Sequence, residues 1–310
     1  MTLADNKKKL VVIAGPTAVG KTSLTIKLAE HFSSEIISAD SRQFYREMKI
    51  GTAAPTIEEM RKINHHFIGN LSVTDDYSAG KFEADALSKL SDLYNNHRII
   101  FMTGGSGLFI QAVTEGFDTF QEVDPEIRAH IRVKYKNEGL AWLQNEVKVL
   151  DAEYFEKADI NNPQRLLRAL EVSRSTGKPY SSFKSGISKP RDFSIIKILL
   201  NEDREEIYNK INQRVENMLI AGWLEETRSL LPFRKLNALN TVGYKELFEY
   251  LDGSLSLEKA VELIKQNTRR YAKRQLTWFR NDKNYKVFSP NDFKKIISFL
   301  ETDMKSHDFQ

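Results

Sequence analysis

One octet, Gly15-Pro16-Thr17-Ala18-Val19-Gly20-Lys21-Thr22, constrains this chain more than any other stretch. It follows the unbroken apolar run Leu10 to Ala14 and leads into a segment whose Leu24, Leu28 and Phe32 recur every four residues. The run reads as a buried strand and the recurrence as a helix with one apolar face. In a strand, glycine loop and helix of this kind, backbone N–H groups close around a phosphate at the helix N-terminus. The lysine adds a point charge and the following hydroxyl reaches magnesium. Residues 15–22 are therefore expected to bind a di- or triphosphate, with Thr22 on the metal side. The pattern identifies phosphate binding but not the reaction.

Two further strands are expected, at Glu35 to Asp40 and at Arg98 to Thr103, with helical pattern between them from Phe82 to Tyr94. Strands alternating with helices predict a parallel sheet covered on both faces. From about residue 121 only helical signals follow. Asp124-Pro125-Glu126 reads as an N-cap, a proline at the first helical position and an acid in the first turn. Ile127, Ile131 and Tyr135 form its stripe, Gly139 a stop, and Leu140 to Leu150 a second helix. A third runs from Asn162-Pro163 to Gly177-Lys178-Pro179. Ser194 to Leu200 restores a strand, residues 204–221 another helix, and the remainder is helical from Tyr244 and from Leu257 to Phe279. The expected fold is α/β, a P-loop NTPase-like parallel sheet flanked by helices, with residues 1–120 and 194–310 as the core and 121–193 as an inserted all-helical domain.

Composition narrows the function. The chain has 310 residues, 41% hydrophobic and 28% charged, the balance of a soluble globular protein. Zero cysteines exclude disulfides, thiolate metal sites and a cysteine nucleophile. The six histidines show no metal-ligand spacing, and His65-His66 reads as a structural pair. Lys7 to Lys9 ahead of Leu10 to Ala14 has the look of a signal peptide, but the run is too short and no small-residue cleavage site follows. No stretch approaches the roughly 20 apolar residues of a membrane span. A cytoplasmic monomer with no membrane partner is expected. The net charge of +4, from 46 basic and 42 acidic residues, does not by itself demand a polyanion.

A hydrolysing motor would add an apolar strand ending in an aspartate that holds magnesium. The 99–102 strand instead runs into Thr103-Gly104-Gly105, and 194–200 into Asn201-Glu202. Asp40 is better placed. It closes a strand, and ligands of open parallel sheets sit outside the carboxyl ends of the strands. It can serve as a general base or a magnesium ligand, or as an ordinary turn or N-cap aspartate. Arg214 lies in phase with the apolar stripe Ile207, Ile211, Val215 and Met218, which calls for an anionic partner. A pyrophosphate would supply one, and so would a buried ion pair. Thr268 to Arg280 holds five cations and no acid, interleaved with aromatics; Arg270 and Arg274 share a helix face suited to phosphates or simply to water.

Together these motifs resemble the bacterial tRNA dimethylallyltransferases over nearly the whole chain. The resemblance is carried by residues 15–22; Asp40-Ser41-Arg42-Gln43-Phe44-Tyr45 with Ile50-Gly51-Thr52-Ala53; His65-His66; and Tyr77-Ser78. It continues through Gly104-Gly105-Ser106-Gly107-Leu108, Asn162 to Glu171, Val242-Gly243-Tyr244 and Lys273 to Trp278. It implies transfer of a dimethylallyl group from dimethylallyl diphosphate, with Mg2+, to the N6 amine of the adenosine just 3′ of the anticodon, in a tRNA anticodon stem-loop gripped between core and insertion. That adenosine has to leave its stack for its amine to reach the donor carbon. By the same resemblance Asp40 matches the general base, and Arg214 and Lys21 match diphosphate-binding groups. Thr17 and Thr22 match the donor and magnesium side of the loop. Asp40, Ser41, Arg42 and Gln43, and Gln164, Arg165, Leu166, Leu167 and Arg168, match tRNA-contacting segments; Ser106 and Arg128 match single tRNA contacts. Ser106 stands where threonine is usual.

Other readings of the same motifs are an isopentenyltransferase acting on free adenylate, a P-loop nucleotide kinase, and a non-catalytic RNA binder with a nucleotide-gated loop. The helical insertion and the basic C-terminal run favour tRNA over a free nucleotide as acceptor.

Overall fold

The computed structural model describes residues 8–118, 123–184 and 188–306. Six strands, β1 (Lys9–Ala14), β2 (Ile36–Ser38), β3 (His65–His66), β4 (Ile99–Gly104), β5 (Ser194–Leu200) and β6 (Lys286–Phe288), form one sheet of order β3-β2-β4-β1-β5-β6. Every pairing is parallel, with Val12 level with Met102 on one side and Lys197 on the other. The α/β reading thus holds.

Central β1 is buried along its whole length, as expected of a strand covered on both faces. On one face Leu10, Val12, Ile100 and Met102 join Phe44, Phe82 and Phe109. On the other, Val11, Ile13 and Phe101 join Leu24, Leu28, Ile296 and Leu300. Leu10 is fully enclosed, so its truncation to alanine costs about 2–5 kcal/mol. Lys9 also lies inside, 4% exposed, where its ammonium meets Asp303 at 2.5 Å.

The flanking helices are α1 (Lys21–His31), α2 (Ile57–Lys62), α3 (Ala79–Leu93) and α4 (Gly107–Thr114). After an excursion come α8 (Arg204–Ile220), α9 (Trp223–Ser229), α10 (Tyr244–Leu251), α11 (Leu257–Arg280) and α12 (Phe293–Ser306). The excursion carries α5 (Pro125–Leu150), α6 (Ala152–Lys157) and α7 (Pro163–Thr176). By compactness, Met1–Glu115 with Pro190–Gln310 form one unit and Gly116–Lys189 the other. Both bounds lie a few residues before the expected 121 and 193, the first because the chain leaves the first unit where α4 ends, before the next helical signal begins.

The second unit has its own core of Ile131, Leu143, Val147, Leu166 and Leu170. Asp124 and Asn162 accept N-terminal amides of α5 and α7, and Gly177 closes α7 with a left-handed φ of 70°. Gly139, at φ 77° and ψ −167°, kinks α5 between the two helices expected there.

Candidate functional site

The phosphate loop leaves the carboxyl end of β1 at the middle of the sheet, where open parallel sheets place their ligands. Gly20 precedes α1 at φ 97°, a left-handed conformation that favours glycine, and no side chain caps the helix. The first N–H groups of α1 are therefore left for an anion. Thr22, half-buried in that first turn, makes no hydrogen bond through its hydroxyl to a described residue. Pro16 and Val19 are buried and anchor the loop from below.

Lys21 folds back over this loop, donating to the carbonyls of Gly15 at 3.0 Å and Pro16 at 2.8 Å. Burial pulls its pKa from 10.5 to about 7, with Arg214 pushing the same way and Asp40 opposing both. The Arg214 guanidinium is likewise depressed by burial and supported by Asp40. One carboxylate thus supports two cations, one brought by α1 and the other by α8.

Asp40 stands just past β2, where Ala39 N–H donates to Thr103 O at 2.7 Å and holds the chain against β4. Its Oδ1 accepts the Arg42 N–H at 3.0 Å, the turn bond that was the plainer alternative for this residue. The turn bond occupies one carboxylate oxygen and leaves the other for a second partner.

A cleft of about 480 Å³ brings Thr17, Asp40, Ser41, Arg42, Arg214 and Tyr271 to one surface. Tyr271 is pushed up to about 12 chiefly by burial and then by Asp40, against Arg42, Ser106 and Arg274, so its hydroxyl remains protonated at neutral pH. A second cavity of about 650 Å³ shares Arg214 and Met218 with the first and is walled by Ile50, Ala53, Pro55, Met60 and Ile68. The smaller one holds both the loop residue Thr17 and the Asp40 carboxylate, and the larger holds neither.

Several expected contact residues are engaged within the fold. Gln43 donates to Thr52 O and Ala53 O, both at 3.2 Å, and accepts from Ser38. Ser106 is tied to Ser41, and Arg42 donates to Asn237 O at 3.0 Å. In the second unit, within the segment 164–168 expected to contact tRNA, Leu166 and Leu167 are core side chains, 0% and 5% exposed. The helical period turns Gln164 and Arg165 outward, leaves Arg168 half-buried and takes the leucines in. Arg128 lies 3.5 Å from Glu171, which Arg132 also approaches at 3.3 Å.

Sequence reasoning missed two anchors. Gln275, read as part of a basic run, is buried and bonded to the phosphate loop. Its position four residues after Tyr271, on the face opposite the exposed Lys273, was the available signal. Glu226 accepts Ile50 N–H at 2.8 Å, Gly51 N–H at 2.9 Å and the Tyr244 hydroxyl at 2.6 Å, holding the turn that lines the cleft. No spacing announces such a clasp. His66 contacts Glu35 at 2.6 Å, in keeping with a structural pair, and no group of three or more potential ligands that could hold a metal occurs among the described residues.

A parallel sheet with a glycine loop and a helix N-terminus at its centre, and with Asp40 and Arg214 lining the cleft beside the loop residue Thr17, defines a P-loop α/β protein. The chain belongs to the IPP transferase family, whose model matches residues 43–282. It is 53% identical to the tRNA dimethylallyltransferase of Christiangramia forsetii, over 96% of this chain and 99% of that one. Among solved structures it is similar to the tRNA isopentenylpyrophosphate transferase of Bacillus halodurans, at 34% identity and a TM-score of 0.73, covering 97% of this chain and 98% of that one. It is also similar to a eukaryotic dimethylallyltransferase acting on tRNA, at 25% identity and a TM-score of 0.79, covering 93% of this chain and 75% of that one. Among the described residues no helix is long and apolar enough to cross a membrane.

Proposed function

We propose that this chain transfers the dimethylallyl group of dimethylallyl diphosphate to the N6 amine of the adenosine 3′-adjacent to the anticodon in tRNA, releasing pyrophosphate. The observation that carries the reading is the cleft that brings Asp40 and Arg214 together with the loop residue Thr17, while buried Lys21 behind the loop feels both charges. A base and a leaving-group cradle are what the substitution needs side by side.

The amine nitrogen attacks the allylic carbon, the carbon–oxygen bond to the diphosphate breaks, and the amine proton passes to Asp40. The amides of the loop, Lys21 and Arg214 hold the negative charge that grows on the departing oxygen, so they act most strongly in the transition state. The unbonded Thr22 hydroxyl suits Mg2+, which takes one or two protein oxygens and completes its shell from phosphates and water. Bound there, the ion would add charge neutralisation on the leaving group. Tyr271, protonated on the cleft wall, offers the entering base an aromatic face and a donor.

The tRNA surface is assigned to Arg42 and the exposed cations of α11 in the first unit, and to Arg128, Gln164, Arg165 and Arg168 in the second. The protein acts as a cytoplasmic monomer in this reading. Incubation with dimethylallyl diphosphate, Mg2+ and either unmodified tRNA or AMP, followed by mass spectrometry of the nucleosides, tests it. The prenyl mass is expected on tRNA adenosine. Product on AMP alone would replace the acceptor, and phosphorylation from ATP without prenyl transfer would replace the reaction.

A further inference from the structure

Gln275 sits within the cationic run of α11, yet it is only 6% exposed. Its carboxamide makes two bonds of opposite sense: Oε1 accepts the Thr17 N–H of the phosphate loop at 2.9 Å, and Nε2 donates to the Gly105 carbonyl at 2.9 Å. A Cβ on residue 105 would stand 2.2 Å from that Nε2, so glycine there makes room for the amide. One residue on, Ser106 Oγ accepts the Ser41 N–H at 3.0 Å and donates to Ser41 Oγ at 3.1 Å. Ser41 follows Asp40 directly. A continuous path of bonds therefore runs from the phosphate loop through Gln275, Gly105, Ser106 and Ser41 to the Asp40 carboxylate.

We infer that Gln275 is a positioning residue that fixes the separation between the phosphate cradle and the Asp40 carboxylate, and so governs turnover more than the binding of either substrate. The inference rests on the prenyl-transfer reading above. In that reaction the amine, the carboxylate and the donor carbon must be held at near-attack distances, and a displacement of about 1 Å imposed from outside the reacting atoms can cost about 100-fold in rate. Gln275 touches none of the reacting groups. It ties one loop that carries the donor to another that, through the serine pair, carries the base.

Gln275→Met keeps the length and unbranched shape of the side chain and removes both bonds, and Gln275→Ala removes the side chain as well. In each, kcat is expected to fall about 10- to 100-fold, while donor affinity by calorimetry and tRNA affinity by filter binding stay within about threefold of the unsubstituted enzyme. Gly105→Ala alone should be severely impaired, but in combination with Gln275→Ala it should match Gln275→Ala, because the atom it would strike is gone. Undiminished kcat in the folded methionine variant, a loss residing wholly in donor affinity, or a further loss from Gly105→Ala in the Gln275→Ala background would each overturn the inference. Hydrogen exchange at the Thr17 amide should quicken in Gln275→Met; unchanged exchange beside an active unsubstituted enzyme sinks this inference alone. An unsubstituted enzyme that makes no prenylated tRNA sinks the transfer reading and this inference with it.

Discussion

In the absence of donor Lys21 has a pKa of about 7, lowered first by burial. A diphosphate seated against it restores the ammonium, because an adjacent anion favours the charged form. Donor binding at alkaline pH must therefore take a proton from solvent. Well below pH 7 the lysine is already charged and no uptake occurs. Above pH 7 the neutral fraction dominates, and affinity falls about tenfold per pH unit until the pKa of the bound state is reached. Between pH 7 and pH 9 the expected loss is about 50-fold, the ratio of the two protonation penalties for a group that titrates at about 7. In the absence of donor the sign for folding is the reverse. The folded chain binds fewer protons than the unfolded one between about 7 and 10.5, so this group makes the protein more stable as pH rises through that window.

Calorimetric titration of dimethylallyl diphosphate at pH 8.5, at fixed Mg2+ and in two buffers of different ionisation enthalpy, reads the uptake directly. About one proton per donor is expected. Lys21→Arg keeps its charge throughout this range, so its uptake should vanish and its affinity should be nearly flat with pH. A flat affinity and no uptake in the unsubstituted protein would refute the argument. Equal uptake in Lys21→Arg would show that another group titrates.

Three further outcomes are expected. Asp40→Asn should lower single-turnover prenyl transfer by about 100-fold or more while leaving donor affinity within about threefold, since the amide cannot accept the proton; transfer at an unchanged rate would remove Asp40 as base. Glu226→Ala strands the N–H groups of Ile50 and Gly51 and the hydroxyl of fully buried Tyr244, a loss of about 2–4 kcal/mol by urea denaturation, whereas Glu226→Gln keeps an acceptor for Gly51 and Tyr244 but sets its NH2 against the Ile50 N–H, and should lose about half as much. Equal stability of the two variants would contradict the clasp. Burial tends to raise the pKa of Glu35, but hydrogen bonds from Asn64 and His66 outweigh it and hold the carboxyl below 4.5. Its stabilisation is present above that value and lost as pH falls through the folded-state pKa, so Glu35→Gln should flatten the decline of the melting temperature between pH 5 and pH 3; a parallel decline would count against it.

The legibility of this chain follows the range of the interactions. β1, the phosphate loop and α1 lie consecutively in sequence, and each obeys a local rule of apolar run, glycine loop or four-residue recurrence, so they could be placed from residues alone. β5 was equally plain as a seven-residue strand. Two-residue β3 and the edge strand β6, whose first two residues are exposed, carry too little apolar pattern to stand out, and they exist because β2 and β5 offer free edges to pair with. α12 went unremarked although Ile296 and Leu300 are fully buried. Its apolar face has meaning only against the sheet face that it closes.

The site divides along the same line. Asp40 and Arg214 were legible as anomalies, a carboxylate closing a strand and a cation on an apolar stripe, because each breaks a local pattern in a way that a partner would explain. In the folded chain the Asp40 charge supports both Arg214 and Lys21. Gln275 and Glu226 break no pattern. A neutral amide in a basic run and an acid in a short helix are ordinary in sequence, and their importance comes from backbone groups 258 and 176 residues away. Backbone donors and acceptors are the same at every position, so nothing in the sequence distinguishes the amide of Thr17 or Ile50 as one that needs a side-chain partner. Residues that complete a site through side-chain chemistry can be read in advance, whereas those that hold its backbone in place become visible only when the chain is folded.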